Sequence, residues 1–274
     1  MGDYAFGDGP AAARRLDLLA ELFEPASRSF LEHVAGLSAG DGSGGGPGPA
    51  GRRPRLALDL GCGTGHTTRL VAGVLEPDRA LGLDQSEFFV ALAAGEPPGS
   101  PAVEFAVHDV TRVPFPCPPA DVCYGRLLLS HLSDPGAVLA AWATQLAPGG
   151  LLLADEVDRI HTDLPALRGY LKVAGALLAT CGHTLEVGQL LARLPDPPGM
   201  IRRDDRIGHL APPAARAAAM FALNLAVWRG EAVRAGVATT AELDRLAADL
   251  AAVADGEVRG SIRWELRQLV LQRA

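Results

Sequence analysis

Three glycines at alternate positions, in Leu58-Asp59-Leu60-Gly61-Cys62-Gly63-Thr64-Gly65-His66, are the first residues whose spacing implies chemistry. Without a Cβ, the chain turns through backbone angles closed to other residues, and a ligand can lie against the main chain. An apolar run precedes the loop and a helix-forming run follows it, so the loop faces a helix N-terminus and reads as a ligand cradle rather than a bare turn. The dinucleotide fingerprint G-x-G-x-x-G would need glycine where His66 stands, and a phosphate loop would need Gly-Lys-Ser/Thr. A second concentration of chemistry is Asp155-Glu156-Val157-Asp158-Arg159-Ile160-His161. Ligands of open α/β sheets sit outside the carboxyl ends of strands, so these groups are expected to border the pocket. Glu156 or Asp158 would then orient a substrate or act as base; the other reading is a solvated acidic edge paired with Arg159. A metal is not expected, since a hard cation wants several convergent oxygens. Cys62, Cys117, Cys123 and Cys181 form no C-x-x-C pair, which argues against zinc and against a disulfide framework.

The elements that must hold these groups follow from periodicity. Residues 11–35 carry apolar positions at helical spacing, and Pro25 is expected to divide them into two helices. A Gly/Ser/Pro linker follows at 36–51. From residue 55 strands and helices alternate: strands at 55–60, 80–84, 103–109, 120–126 and 151–157, helices at 66–75, 86–95 and 135–146. Ser86 is a candidate N-cap and Pro135 a first-turn proline. Buried strands alternating with helices imply a parallel sheet with right-handed crossovers. Beyond 160, residues 164–181 and 213–254 read as helical, with further strands at 200–210 and 260–274. The expected fold class is α/β: a doubly wound, Rossmann-like, mostly parallel seven-stranded sheet with an N-terminal helical arm and a helical cap. The expected division is 1–52 for arm and linker, 53–160 for the ligand-binding core, and 161–274 for the rest of the sheet with the inserted cap.

The bulk numbers narrow the partners. A chain of 274 residues with 48% hydrophobic residues can bury a full core. A net charge of −7 with Lys172 as the sole lysine argues against a nucleic-acid surface. The N-terminus shows no basic region followed by an apolar stretch, and no run reaches membrane-spanning length, so a cytoplasmic monomer or homodimer is expected.

The segment Asp59-Leu-Gly-Cys-Gly-Thr-Gly-His66 resembles motif I of class I S-adenosylmethionine-dependent methyltransferases, small-molecule type. Later residues continue the resemblance over 55–157: Asp84 ending the second strand, His108-Asp109-Val110 ending the third, Arg126 after the fourth, His131-Leu-Ser-Asp-Pro, and the Ala147-Pro-Gly-Gly turn. It implies S-adenosyl-L-methionine as cofactor, with its methionine part on Gly61, Gly63 and Gly65, flanked by Asp59 and Thr67. Asp84, with Gln85 beside it, would grip the ribose hydroxyls, and Asp109, between His108 and Val110, would meet the adenine; Arg126 belongs to the same site. Tyr4-Ala-Phe-Gly7 and Arg14-Arg15-Leu16-Asp17 resemble an arm that folds over the cofactor in a bacterial subgroup, which implies Tyr4 or Phe6 near the sulfonium or methionine tail and Arg15 near the carboxylate.

Methyl transfer is an in-line displacement at carbon in which alignment supplies about 7–11 kcal/mol, and an oxygen or nitrogen acceptor also calls for a base. His131 and Glu156 are the catalytic candidates; the alternative for His131 is a core histidine held by a carbonyl. In the cap, Tyr170, His183, Phe221, Asn224, Trp228 and Arg229 are possible substrate contacts, with Tyr170, Asn224 and Trp228 foremost. Asn224 and Trp228, four apart, share a helix face. The expected activity is methylation of O, N or C of a small, partly apolar metabolite, such as one of secondary metabolism. The alternatives are a methyltransferase-fold cyclase or other enzyme that keeps the cofactor without using its methyl, and a non-catalytic cofactor-binding module.

Overall fold

A computed structural model describes residues 9–40, 53–95 and 102–274; Tyr4 and residues 41–51 of the expected linker lie outside them. The first helix, α1 (Pro10–Gly40), runs unbroken through Pro25, where two helices were expected, and takes in the start of the expected linker. Pro25 removes one backbone donor. The turns on either side of it are held by burial of Phe23, Ala26, Phe30 and Leu31, so packing overrides the local break. α1 packs on helices and strands introduced below and is part of the core rather than a detached arm.

The apolar runs become strands β1 (Leu56–Leu60), β2 (Arg79–Asp84), β3 (Ala102–Val107), β4 (Ala120–Arg126) and β5 (Leu146–Thr162), followed by β6 (Met200–Leu210) and β7 (Ile262–Arg273). They form one seven-stranded sheet in the order β3-β2-β1-β4-β5-β7-β6. β1 to β5 are parallel, while β7 pairs antiparallel with both β5 and β6 and so is the one strand that runs against the rest. The sheet reverses strand order beside β1, and such a switch point opens a crevice at the carboxyl ends of the strands.

Helices α2 (His66–Leu75), α3 (Glu87–Gly95) and α4 (Pro135–Ala143) connect the parallel strands. Ser86 Oγ accepts the Phe89 amide at 3.2 Å, and Asp134 caps α4 ahead of its first-turn proline. α1 and α2 cover one face of the sheet through Phe30, Leu31, Val34, Leu70 and Val71. α4 covers the other through Leu139 and the buried Trp142, whose Nε1 donates to the Val110 carbonyl at 2.8 Å.

The cap comprises α5 (Pro165–Thr180), the short α6 (Gly188–Leu191), α7 (Ala214–Arg234) and α8 (Thr240–Ala254). The helical stretch expected over 213–254 breaks at Gly236, which has φ +69°. A capping box, Thr239 with Glu242, then restarts it as α8. α1, α5, α7 and α8 share one core with Trp264 of β7, and α1 lies against α2, α7 and β6.

β5 departs most from expectation. It starts at Leu146 and ends at Thr162, because β7 pairs with it along its whole far half, from Leu151 with Gln272 to Thr162 with Ile262. The acidic run therefore lies within the strand and not at its end.

Candidate active site

The glycine loop leaves the end of β1 and is fastened from two sides. The amides of Gly61 and Cys62 donate to the Leu83 carbonyl at 2.8 and 3.0 Å. Gly61, Gly63 and Gly65 all have positive φ (+70°, +53° and +87°), the left-handed region that glycine enters without strain. Bare carbons also let two walls approach: a Cβ on Gly61 would stand 2.8 Å from Leu128 and one on Gly63 3.0 Å from Leu16 of α1. Beneath the loop, buried Asp59 accepts the Thr67 and Thr68 hydroxyls at 2.6 and 2.7 Å, tying the first turn of α2 back to β1. Burial pushes its carboxyl up to about 6, with the two hydroxyls opposing.

Asp84 ends β2 with both oxygens engaged: one accepts the Gly63 amide at 2.8 Å, the other the Ser86 amide at 2.9 Å. An ionised carboxylate accepts several hydrogen bonds, and Asp84 borders the cavity, so it can receive hydroxyls there. His108 and Asp109 follow β3 directly, since that strand ends at Val107. His108 Nε2 lies 2.9 Å from the Arg112 carbonyl, and Asp109 accepts the Thr111 hydroxyl at 2.6 Å.

After β4 the chain turns sharply at Leu127 (φ +51°) into a 3-10 turn, Leu129–His131. Glu156 of β5 holds this turn: one of its oxygens accepts the amides of both Leu128 and Leu129 at 2.8 Å. Burial pushes the Glu156 carboxyl up to about 8 although the two amides oppose it. His131 is pushed down to about 3, by burial first and by the Arg15 guanidinium second, so its imidazole is neutral at pH 7.

One cavity of about 970 Å³ lies over the carboxyl ends of β1, β2, β4 and β5. Gly61, Gly63, Thr67, Asp84, Gln85, His108, Asp109 and Arg126 border one part of it. His131, Tyr170 and Asn224 border another, where Phe23, Phe221, Met220 and Trp264 supply apolar wall. α1 contributes Arg15, Leu16, Leu19 and Phe23, with Leu16 against Gly63 and Arg15 near enough to act on His131 and Tyr170.

Several expected residues take other places. Asp59 and Gly65 lie under the loop, where a Cβ on Gly65 would strike Arg69 and Phe105. Val110 serves Trp142 through its carbonyl. Glu156 points to the backbone of the 127–131 turn, not into the cavity, because the β7 pairing extends β5 beyond it. Asp158 pairs with Arg267 at 2.9 Å rather than with Arg159. Asp155 is buried under α1, accepting Ser27 Oγ at 2.7 Å, the Tyr124 hydroxyl at 3.1 Å and Gln268 Nε2 at 3.2 Å. From 155–161 only Val157 and Ile160 reach the cavity. Trp228 stands behind Tyr170, Arg229 pairs with Asp244, and His183 is not on the cavity wall.

Leu16, Leu19, Phe23, Arg112, Ser130, Met220 and Trp264 line the cavity and were not foreseen as site residues. The α1 periodicity marked a buried stripe without saying what it covers, and Trp264 reaches the site only through the β5–β7 pairing.

The fit to S-adenosylmethionine rests on three observations. A glycine-backed loop borders the cavity, an acid already oriented by two amides stands at the next strand end, and the volume lies at the upper end for a cofactor-sized guest, about 300–1,000 Å³.

Residues 58–154 match a family model described as a methyltransferase domain. Trans-aconitate 2-methyltransferase of Methylobacterium radiotolerans is 32% identical over 138 residues, 50% of this chain and 51% of that protein. The protein of the same name from Streptomyces avermitilis is 39% identical over 106 residues, 37% of this chain and 38% of its own length. The chain thus spans about half the length of the curated relatives it matches, or less. Among solved structures, an Anaeromyxobacter dehalogenans protein provisionally named a type II methyltransferase shares 20% identity and a TM-score of 0.55, over 90% of this chain and 95% of that one. A Bacillus halodurans protein, provisionally named a methyltransferase, shares 16% identity and a TM-score of 0.51, over 81% and 93%. These two establish likeness of fold. With the glycine loop, the acid after β2 and the family match falling on the same stretch of sheet, the chain carries a class I S-adenosylmethionine-dependent methyltransferase domain.

Proposed function

We propose that this protein transfers the methyl group of S-adenosylmethionine to an oxygen, nitrogen or carbon of a small, partly apolar metabolite. The observation that carries the reading is the continuity of one cavity from the glycine loop and Asp84 to a wall of aromatic side chains. A cradle alone would serve a binding module; a cradle opening into an apolar compartment serves a reaction between two bound molecules.

The bound cofactor supplies a methyl group already activated by a sulfonium leaving group. The chain's own part is placement and exclusion of water. Asp84 would receive the ribose hydroxyls, and the backbone at Gly61 and Gly63 would admit the methionine part. Arg15 stands for its carboxylate and Asp109 for the adenine amino group. Gln85, His108 and Arg126 complete the wall. A histidine held near 3 is too weak a base to keep a proton at neutral pH, so His131 accepts a hydrogen bond from the acceptor group and aims it. Its neutrality also keeps a second positive charge away from the sulfonium. Glu156 is a positioning residue that acts through the Leu128–His131 turn. The four cysteines are all free, which fits a reducing cytoplasm.

The test is incubation with S-adenosylmethionine and a fractionated metabolite pool, reading S-adenosylhomocysteine release together with product mass. Gain of one methylene by the product supports the reading. An isomerised product of unchanged mass, or cofactor binding without any S-adenosylhomocysteine, overturns it.

A further inference from the structure

The apolar end of the cavity carries two buried polar atoms that the fold leaves unanswered. Asn224 of α7 is 8% exposed and borders the cavity, and its Oδ1 has no hydrogen-bond partner among the described residues. Trp228, one turn along α7, is 1% exposed, and its Nε1 is likewise unanswered. Both approach the Tyr170 phenol from the donor side without completing a full hydrogen bond; burial pushes that phenol up to about 12, Asn224 and Trp228 partly opposing. Asn224 borders the cavity, and a half-turn of its amide that sets the nitrogen toward Tyr170 brings the oxygen to the cavity side, where it can accept from a guest. A buried acceptor without a donor costs about 1–3 kcal/mol, so such a group is normally served by a ligand or an ordered water.

The surroundings select the ligand. Tyr170 and Phe221 stack at 4.0 Å with planes 10° apart, and Phe221 meets Trp264 edge-on at 6.0 Å. Phe23 meets Trp264 from the other side at 5.6 Å. Walls of flat rings favour a flat guest. Arg15, whose charge acts on both His131 and Tyr170, repels a cation there. It is also the one arginine that α1 and the cap present to the cavity among the described residues, and it is committed to the cofactor carboxylate, so a polycarboxylate would stay unpaired.

We propose that the acceptor compartment takes an uncharged, planar ring bearing a hydroxyl or N–H that donates to Asn224, and not a tricarboxylate such as the one in the names of the curated relatives. This rests on the methyl-transfer reading for the word acceptor and for the commitment of Arg15 to the cofactor carboxylate; the hydroxyl claim at Asn224 stands apart from it.

The experiment titrates the full chain, with and without saturating S-adenosylhomocysteine, using 2-naphthol, 2-methoxynaphthalene, 2-naphthoate and trans-aconitate. Tryptophan fluorescence reports occupancy, since Trp264 is on the wall. The hydroxyl should make 2-naphthol bind about tenfold more tightly than its methyl ether. In Asn224→Leu the two should fall within about twofold while the ether keeps its wild-type affinity, which also shows that the pocket is intact. Tighter binding of 2-naphthoate or trans-aconitate overturns the proposal. So does equal binding of naphthol and ether by the wild type, which would mean that Asn224 is served by water alone. Failure of S-adenosylhomocysteine to bind would instead strike the methyl-transfer reading, and the titration without it still decides this one.

Discussion

Replacing Asp84 should separate cofactor affinity from folding. Its two oxygens hold the Gly63 and Ser86 amides at 2.8 and 2.9 Å, and its carboxylate borders the cavity where the ribose hydroxyls are proposed to sit. A charge-assisted hydrogen bond is worth about 1.5–3 kcal/mol, so losing two removes about 3–6 kcal/mol of binding. At 1.4 kcal/mol per decade that is a loss of about a hundredfold to ten-thousandfold in affinity for S-adenosylhomocysteine. Asp84→Asn is the sharper variant. Its single carbonyl oxygen can answer one amide, while its NH2 faces the other donor, so the loop is loosened and the charge is gone at constant volume. Unfolding free energy should fall by only about 1–2 kcal/mol, because both hydrogen bonds are only part-buried and Asn keeps one acceptor oxygen for them. Isothermal titration calorimetry gives the affinity and urea denaturation the stability. Affinity within threefold of wild type would show that Asp84 shapes the turn without touching the ligand, and the cofactor assignment at β2 would fall with it.

Three other perturbations probe the frame. Glu156 carries its proton to about pH 8 when folded but only to its ordinary value near 4.5 when unfolded. The folded state therefore binds more protons in that window, and stability falls as pH rises through it. Between pH 6.5 and 8 the loss approaches about 2 kcal/mol, and Glu156→Gln, which keeps an acceptor for Leu128 and Leu129, should flatten it; an unchanged slope in urea melts at three pH values would refute this. Gly65→Ala must adopt φ +87° with its Cβ 2.6 Å from Arg69 and 2.7 Å from Phe105, and should lose more than about 2 kcal/mol by thermal melting. Asp155→Ala strands the Ser27, Tyr124 and Gln268 donors and should cost about 3–5 kcal/mol. A smaller loss in Asp155→Asn, which keeps one acceptor, would mark the network as a matter of hydrogen bonding more than of charge.

Where a residue's role depends on near neighbours in the chain, the sequence was legible. The loop from Asp59 to His66, β4 at 120–126, β6 at 200–210 and α2 at 66–75 stand where periodicity and turn chemistry put them. Pairing between distant segments was not legible. Glu156 resembled a strand-end acid because strands in such runs stop after about six residues. Only the antiparallel pairing with β7, from the other end of the chain, moves the strand's end past it. The same pairing brings Trp264 to the cavity. Pro25 read as a break because helix propensity is local, whereas the burial of Phe23, Ala26 and Phe30 that overrides it is not. Asp59 was placed in the right loop but on the wrong side of it: the hydroxyls at 67 and 68 that claim it are an ordinary Thr-Thr pair in the sequence.

The position of Pro25 within α1 has a mechanical consequence. Everything C-terminal to it is riveted down: Ser27 to the carboxylate of Asp155, Ala26 through its carbonyl to Gln268, and Phe30, Leu31 and Val34 into the sheet face. The section N-terminal to it that touches the cavity, Arg15 to Phe23, is held by side-chain packing and by exposed ion pairs, Asp17 with His66 at 2.9 Å and Glu21 with Arg216. The helix thus behaves like a cantilever clamped along its second half, with its least hydrogen-bonded section at the edge of the clamp. Admission of a nucleoside need not unseat the helix; deflection of the free half about that section uncovers Gly63, and amide exchange across residues 11–24 should outpace exchange across 27–34.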